Sequence, residues 1–177
     1  MNQLASVSKY AALRGGDTLV FNRDLPAEVD TVWSWLTEAK LRRQWLADGN
    51  MELAKGAGFE LVWRNEQLSE PADQIGEPSD SEHSMQSAIT EIDPGHLISF
   101  TWANTDGVTF TLEDKVGGTE LKVVHKKLPD HNTLLSIAAG WHAHLDILVS
   151  RLRGETPVPF WDAWRQLKSD YEQRIAA

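Results

Sequence analysis

The sequence predicts one α+β domain, a curved antiparallel sheet of about six or seven strands around a long C-terminal helix. Three observations predict this class. Short segments alternate apolar and polar residues, tight turn motifs separate several of them, and an apolar stripe with helical spacing follows the last one. At 177 residues the chain is long enough for one hydrophobic core and short for two domains.

The first part of the chain predicts an arm, a strand and two helices. Residues 1–16 form an N-terminal arm or short helix before the main domain of 17–156. Residues 17–25 alternate as a strand that Pro26 ends. Apolar residues at helical spacing over 29–36 predict an amphipathic helix, and Thr37 is the expected N-cap of a second one.

The middle of the chain predicts consecutive antiparallel strands. The Gly117-Gly118 link favours a primed hairpin turn, since both positions tolerate positive φ. The predicted strands cover 59–63, 85–92, 96–102, 108–116 and 120–127, with a short additional one over 51–53. Residues 65–84, rich in acids and prolines, are predicted to be an exposed insertion loop, either a functional lid or a mobile insertion.

Two helices are predicted at the C-terminus. The first begins near Thr133, carries apolar residues from Trp141 to Leu152, and is closed by Gly154. The second lies within the segment 157–177 and packs on the domain.

Composition excludes several functional classes. There is no cysteine, which excludes disulfides and thiolate chemistry, and no apolar run is long enough for a membrane span. The net charge is −9, and residues 65–114 contain no Lys or Arg, so nucleic-acid binding is disfavoured. Without an export signal, we expect a cytoplasmic protein that is a monomer or a homodimer.

A series of short motifs occurs in a characteristic order between residues about 18 and 153. The series begins with Arg23, Pro26, Val32-Trp33, Leu41 and Trp45, and continues with Gly56-Ala57-Gly58-Phe59, Ile92-Asp93-Pro94-Gly95-His96-Leu97, Phe100-Thr101-Trp102, Gly117-Gly118-Thr119-Glu120-Leu121 and Gly140-Trp141-His142-Ala143-His144-Leu145. Together these motifs resemble the START-like (SRPBCC, birch-pollen-allergen-like) superfamily, and most closely its branch named after the activator of the 90-kDa heat-shock-protein ATPase.

The resemblance implies a helix-grip fold with an internal cavity, and it implies no single activity, because the superfamily includes lipid carriers, cyclases and proteins of unknown role. Segment 65–84 and the helix after Pro159 depart from the minimal domain.

Three polar residues are candidates for contact with a ligand. Arg23 shares a strand face with apolar residues, so it is either an anion-binding group at the cavity mouth or an arginine paired with Asp24 or Glu60. His125 and His144 are each either a ligand-orienting group or a hydrogen-bonded core histidine.

Large aromatic residues either line the cavity or fill it. Trp63, Trp102 and Trp141 are expected to face a common space, whereas Trp161 and Trp164 are expected to pack between helices. The predicted ligand-binding residues are Arg23, Trp63, Met85, Trp102, Phe110, Val123, His125, Trp141, His144 and Leu148. No motif predicts a catalytic residue, a metal site or a cofactor.

Three functions remain open from the sequence. The first is binding of an apolar or amphipathic small molecule in the cavity. The second is a protein-interaction module that uses the acidic loop 65–84, and the third is a cyclase-like or hydrolase-like enzyme with a cavity histidine as base.

Overall fold

The computed structural model describes residues 9–175 and confirms the α+β helix-grip fold. Seven strands and four α-helices lie within this range. The strands are β1 (Ala12–Arg14), β2 (Thr18–Leu25), β3 (Gly58–Trp63), β4 (His83–Asp93), β5 (Leu97–Phe100), β6 (Val108–Lys115) and β7 (Gly118–His125). The helices are α1 (Val29–Thr37), α2 (Ala39–Arg42), α3 (His131–Leu152) and α4 (Phe160–Arg174). Of the predicted arm, residues 1–8 lie outside the described range.

All neighbouring strands pair antiparallel in the order β1-β2-β7-β6-β5-β4-β3. The consecutive strands β3 to β7 follow one another through short connections, except for the long segment between β3 and β4. Strand β2 pairs with β7 from Leu19 opposite His125 to Leu25 opposite Thr119. Strand β2, the first long strand of the chain, therefore pairs with β7, the last strand, and α3 follows β7 directly in the sequence.

Strand β4 bends the sheet. Its first half pairs with β3, its second half pairs with β5, and the register shifts between Ile89 and Glu91. An extra residue at such a bulge increases local twist and bends the strand. Strand β3 is therefore joined to the rest of the sheet through the part of β4 that precedes the bend.

Helices α3 and α4 complete the core. Asp130 caps α3 by accepting a 2.8 Å hydrogen bond from the Thr133 amide, and Gly154 adopts a φ of +70° just after the helix ends. Buried apolar residues from the sheet and from α3 and α4 form one continuous cluster. The buried residues of α4 are Phe160, Leu167 and Tyr171, and all three belong to this cluster.

Three local predictions differ from the structure. Strand β1 was not predicted, because a three-residue edge strand is specified by its pairing with β2 rather than by its own pattern. The predicted strand over 51–53 is absent, and the pairing with β3 comes from Asp48 opposite Val62. Thr37 is not an N-cap, because its hydroxyl donates back to the Trp33 carbonyl at 2.8 Å within α1.

The segment 65–84 is anchored to the domain. It contains two short 3₁₀ turns, Asn65–Gln67 and Ala72–Gln74, and buries Leu68 and Ile75. From α3, Arg151 donates to the Leu68 carbonyl at 2.7 Å and to the Glu70 carbonyl at 2.8 Å. The acidic side chains of the segment remain exposed while its backbone is held against α3.

The turn between β6 and β7 uses its two glycines differently from the prediction. Gly117 has a φ of +84°, whereas Gly118 does not adopt positive φ and pairs with Lys115 as the first residue of β7. A Cβ at Gly118 would overlap the carbonyl oxygen of Leu25 on β2. Gly118 is therefore required for the close approach of two strands rather than for the turn conformation.

We expect Gly118→Ala to lower the free energy of unfolding by about 1–3 kcal/mol, since the backbone of β2 or β7 must move to admit a methyl group. Gly58→Ala is the matched control, because a Cβ there lies at an ordinary 3.8 Å from the Ser87 oxygen. Urea unfolding of both variants tests this, and equal stabilities would contradict the steric explanation.

Candidate functional site

A partly open cavity of about 390 Å³ lies between the curved sheet, α3 and α4. Its walls are mostly aromatic and aliphatic, and its polar residues lie on segment 65–84, at the start of β4 and on α3. The lining residues are Leu46, Trp63, Asn65, Glu66, Ser81, His83, Met85, Trp102, Ser136, Ile137, Gly140, Trp141, His144, Phe160, Trp161 and Trp164.

The sheet contributes a wall of two tryptophans and a methionine. Trp63 is the last residue of β3 and pairs with His83 on β4. Two positions away, Met85 on β4 pairs with Leu61 on β3. Trp102 follows β5, and its ring lies 5.3 Å from that of Trp63 at an angle of 61°. The period of two along a strand places Trp63 and Leu61 on one buried face.

A buried hydrogen bond joins the sheet to α3. The indole Nε1–H of Trp141 donates to His125 Nδ1 at 3.0 Å, and the other ring nitrogen of His125 is 3.1 Å from the Thr105 hydroxyl. Since Nδ1 is the acceptor, Nε2 carries the proton and donates to Thr105. Burial lowers the pKa of His125 to about 3, so the ring is neutral at physiological pH.

Helix α3 leaves space at the centre of its cavity face. Gly140 and Trp141 each lie three or four residues from both Ile137 and His144, so the four residues share one side of the helix. An added Cβ at Gly140 would meet no atom within 4 Å. Because glycine in a helix interior costs roughly 1 kcal/mol relative to alanine, this position gives up helix stability while it leaves room in the cavity.

Helix α4 supplies a third wall that is also aromatic. The Phe160 ring lies 4.5 Å from His144 and 4.9 Å from Trp161, and Trp161 lies 5.6 Å from Trp164. Trp164 donates its indole N–H to the Ser136 carbonyl on α3 at 3.1 Å. This bond fixes the start of α4 over the cavity, while Trp161 remains 44% exposed at its edge.

His144 is a neutral acceptor in the cavity wall. Its Nδ1 donates to the Trp45 carbonyl at 2.8 Å, which fixes the tautomer with an unprotonated Nε2. Burial lowers its pKa to about 4, although the bond to Trp45 acts in the opposite direction. Among the described residues no hydrogen bond reaches Nε2, so this lone pair is free for another donor.

The structure brings together five of the ten predicted ligand-binding residues, namely Trp63, Met85, Trp102, Trp141 and His144, around this one cavity. Phe110, Val123 and Leu148 are buried in the core behind it, with at most 2% of their surface exposed. His125 is also completely buried, and it supports Trp141 instead of lining the cavity.

Arg23 lines a separate cleft that shares no residue with the aromatic cavity. Its side chain is 4% exposed, it lies 3.8 Å from an Asp146 carboxylate oxygen, and it donates to the Asn22 carbonyl at 3.0 Å. The partner is thus Asp146 on α3 rather than Asp24 or Glu60. His142, also buried, donates to or accepts from the Tyr171 hydroxyl at 2.9 Å and lies 3.6 Å from Asp146.

Sequence reasoning missed the contribution of α4 and of the polar rim. Trp161 and Trp164 were expected to pack between helices, yet both line the cavity, as does Phe160. The local pattern identified α4 but contained no information on where it docks. Asn65 and Glu66 were assigned to an exposed loop, and no feature of the sequence indicated their contact with the cavity.

Within residues 9–175 no group of three or more His, Asp or Glu side chains is arranged to hold a metal ion. In the same range, no helix has both the length and the apolar character needed to cross a membrane.

We expect the Trp141–His125 bond to stabilise the fold. His125→Leu would leave the Trp141 N–H buried without a partner, which costs about 1–3 kcal/mol beyond any packing loss. Trp141→Phe removes the indole donor. When His125→Leu is made in the Trp141→Phe variant, its cost in free energy of unfolding should therefore be smaller by about 1–3 kcal/mol. A double-mutant cycle of urea unfolding measures this coupling, and strictly additive costs would contradict it.

The neutral His144 should also make stability depend on pH. Its pKa is about 4 in the folded state against an ordinary 6.5, so the unfolded chain binds more protons between these values and stability falls as the pH drops through that window. The variant His144→Asn keeps a hydrogen-bond donor for the Trp45 carbonyl but cannot titrate. We expect the free energy of unfolding of this variant to fall by roughly 2 kcal/mol less than that of the wild type between pH 8 and pH 5.

Urea unfolding at several pH values measures the effect of His144→Asn. Substitution of the exposed His96 by Asn is the control and should leave the pH dependence unchanged. An identical pH dependence in the His144 variant and the wild type would show that His144 does not contribute.

Solved structures with the same architecture cover nearly the whole chain. A Bordetella parapertussis protein with a solution NMR structure is 29% identical, with a TM-score of 0.75 over 96% of this chain and 92% of that one. A conserved protein of unknown function from Enterococcus faecalis is 18% identical, with a TM-score of 0.68 over 93% of this chain and 88% of that one. CalU16 from Micromonospora echinospora is 16% identical, with a TM-score of 0.64 over 95% of this chain and 96% of that one.

The last two similarities establish the fold alone, since their identities are low. No curated protein sequence matches the chain. The family model described as activator of Hsp90 ATPase homolog 1-like protein matches residues 26–153, which is most of the chain. This match confirms the START-like resemblance seen in the sequence motifs, and the chain belongs to the activator of Hsp90 ATPase homolog 1-like family.

Proposed function

We propose that this protein binds a small apolar or amphipathic molecule in the cavity between the sheet, α3 and α4. Membership of the family supports a ligand-binding helix-grip domain. The observation that carries the proposal is the cavity of about 390 Å³ with its largely aromatic walls. This volume lies within the range of about 300–1,000 Å³ that is typical of small-molecule sites.

The arrangement of the cavity supports a ligand with an apolar body and a polar end. Trp63, Trp102 and Trp141 form the deep side, with Trp102 and Trp141 5.6 Å apart. The polar residues Asn65, Glu66, Ser81 and His83 belong to segment 65–84, which borders the cavity on one side. The apolar part of a ligand would therefore contact the tryptophans while its polar part faces this segment.

The histidines support binding better than catalysis. A general base is most effective when its pKa lies near the working pH. The pKa values of His125 and His144 are lowered by burial to about 3 and about 4, and both rings hold the fold together through hydrogen bonds. A cyclase-like or hydrolase-like function would need a different base.

Segment 65–84 supports a second candidate function, a protein-interaction surface. Glu70, Asp73, Glu77, Asp80 and Glu82 are exposed, while Arg151 anchors the backbone beneath them. Such a surface would recognise a basic partner without using the cavity. The two functions therefore respond differently to a substitution that fills the cavity.

We expect Gly140→Leu to abolish small-molecule binding while the fold remains intact. The new side chain would project from the open position on α3 into the cavity, and leucine is a better helix former than glycine. Thermal unfolding of the wild type with octanol, and of the variant with the same ligand, tests this. We expect the wild type alone to be stabilised by octanol.

Gly140→Ala is the matched control, because it restores helix propensity but adds only one methyl group. It should keep most of the binding. Equal stabilisation of the wild type and Gly140→Leu would place the ligand elsewhere, and no stabilisation of the wild type would contradict the proposed function. Binding to a basic protein partner through segment 65–84 would be unaffected by Gly140→Leu.

A further inference from the structure

The cavity is surrounded by aromatic rings that are inclined to one another. Five of its lining residues are tryptophans, and Phe160 adds a sixth aromatic ring. Neighbouring rings are strongly inclined, at 61° for Trp63 and Trp102, 48° for Trp102 and Trp141, and 77° for Trp161 and Trp164. The negative faces of such rings attract cations, and tryptophan does so best.

Glu66 contributes a carboxylate to the same cavity. The Ser79 hydroxyl donates to its Oε1 at 2.6 Å, which orients the group within segment 65–84. Partial burial acts to raise the pKa of Glu66, but the hydrogen bonds from Ser79, its own backbone and Ser81 and the nearby charge of Arg64 together hold it below its usual range. The carboxylate is therefore negatively charged at physiological pH.

The positive charges close to this rim are already neutralised or lie outside it. No Lys or Arg is among the described residues that line the cavity. The Arg64 guanidinium makes ion pairs with Asp48 at 3.0 Å and with Glu82 at 2.8 Å. Lys168 lies 5.5 Å from the Trp164 ring centroid but is not a lining residue, so it does not occupy the cavity.

One further polar atom of the cavity wall lacks a donor. His144 Nε2 is an acceptor without a donor among the described residues. The indole N–H groups of Trp63, Trp102 and Trp161, which have no hydrogen-bond acceptor within residues 9–175, can in addition donate to a hydroxyl or carbonyl of a ligand.

We propose that the ligand of this cavity is a cationic amphiphile, an apolar body carrying an ammonium group that Glu66 and the tryptophan faces bind. This inference rests on the proposed binding function and specifies its ligand class. A carboxylate or phosphate head group would face Glu66, the exposed acids of segment 65–84 and the ring faces, all of which repel anions. A neutral ligand would gain only the apolar contacts.

Three ligands with the same octyl chain test the proposal by isothermal titration calorimetry. These are octyltrimethylammonium, octanol and octanoate, measured on the full chain at low and at moderate salt. We expect the cation to bind at least tenfold more tightly than octanol, with octanoate the weakest. The advantage of the cation should decrease as salt increases, because the carboxylate lies at the partly open rim.

Two substitutions separate the charge from the rings. Glu66→Gln should weaken octyltrimethylammonium binding about threefold to tenfold and leave octanol binding unchanged. Glu70→Gln is the matched control, since Glu70 lies on the same segment but does not line the cavity. Trp161→Leu, at a partly exposed position, should weaken binding of the cation more than that of octanol.

The outcomes distinguish this inference from the proposed function. Equal affinity for octyltrimethylammonium and octanol, both lost in Gly140→Leu, would overturn the charge preference and leave the binding function standing. Tighter binding of octanoate would overturn it in the same way. Absence of binding for all three ligands would contradict the binding function itself.

Discussion

The hydrogen bond from Trp141 to His125 is the interaction on which the rest of this structure depends. It joins the middle of α3 to the end of β7 at 3.0 Å in a fully buried environment. A buried indole N–H without a partner costs free energy, so the helix and sheet cannot separate here without a penalty. The bond therefore fixes the separation of the two layers, and the neighbouring Trp102 and Trp63 rings define the space that remains.

The same constraint explains why the buried histidines are structural. His125, His142 and His144 each make a hydrogen bond between different parts of the fold. Burial lowers the pKa of all three, and for His142 the charge of Arg23 adds to this effect. Neutral rings can accept and donate at once, which is what bonds between a helix and its neighbours require. These three histidines therefore act as uncharged hydrogen-bonding groups that hold parts of the fold together.

The cavity exists because the side chains of the sheet, α3 and α4 do not fill the space between these elements. Gly140 has no side chain at the position where α3 faces the tryptophans, and α4 lines the cavity without filling it. The bond from Trp164 to the Ser136 carbonyl fixes that cover. The tryptophan rings around this space are held at inclined angles to one another, and a space large enough for a ligand remains between them.

The local pattern of the sequence determined most of the fold. Alternation identified six of the strands, helical spacing identified α1, α3 and α4, and parity placed Trp63 and Trp141 on the faces that line the cavity. Trp102 also lines the cavity, but it lies just after β5 and not within the predicted strand 96–102. These features depend on residues close in sequence, whose periodicity reports which face is buried. The sequence predicts a role for Gly118 in the turn conformation, whereas the structure requires glycine there because the backbone of β2 approaches closely.

Only the tertiary structure decided which of these residues meet. The partner of Arg23 is Asp146 on α3, and its cleft is separate from the cavity, although strand parity gave it the same inward face as its neighbours. Trp161 and Glu66 reach the cavity through the docking of α4 and of segment 65–84. Such contacts join residues far apart in the chain, and their energies arise from packing geometry that no local periodicity encodes.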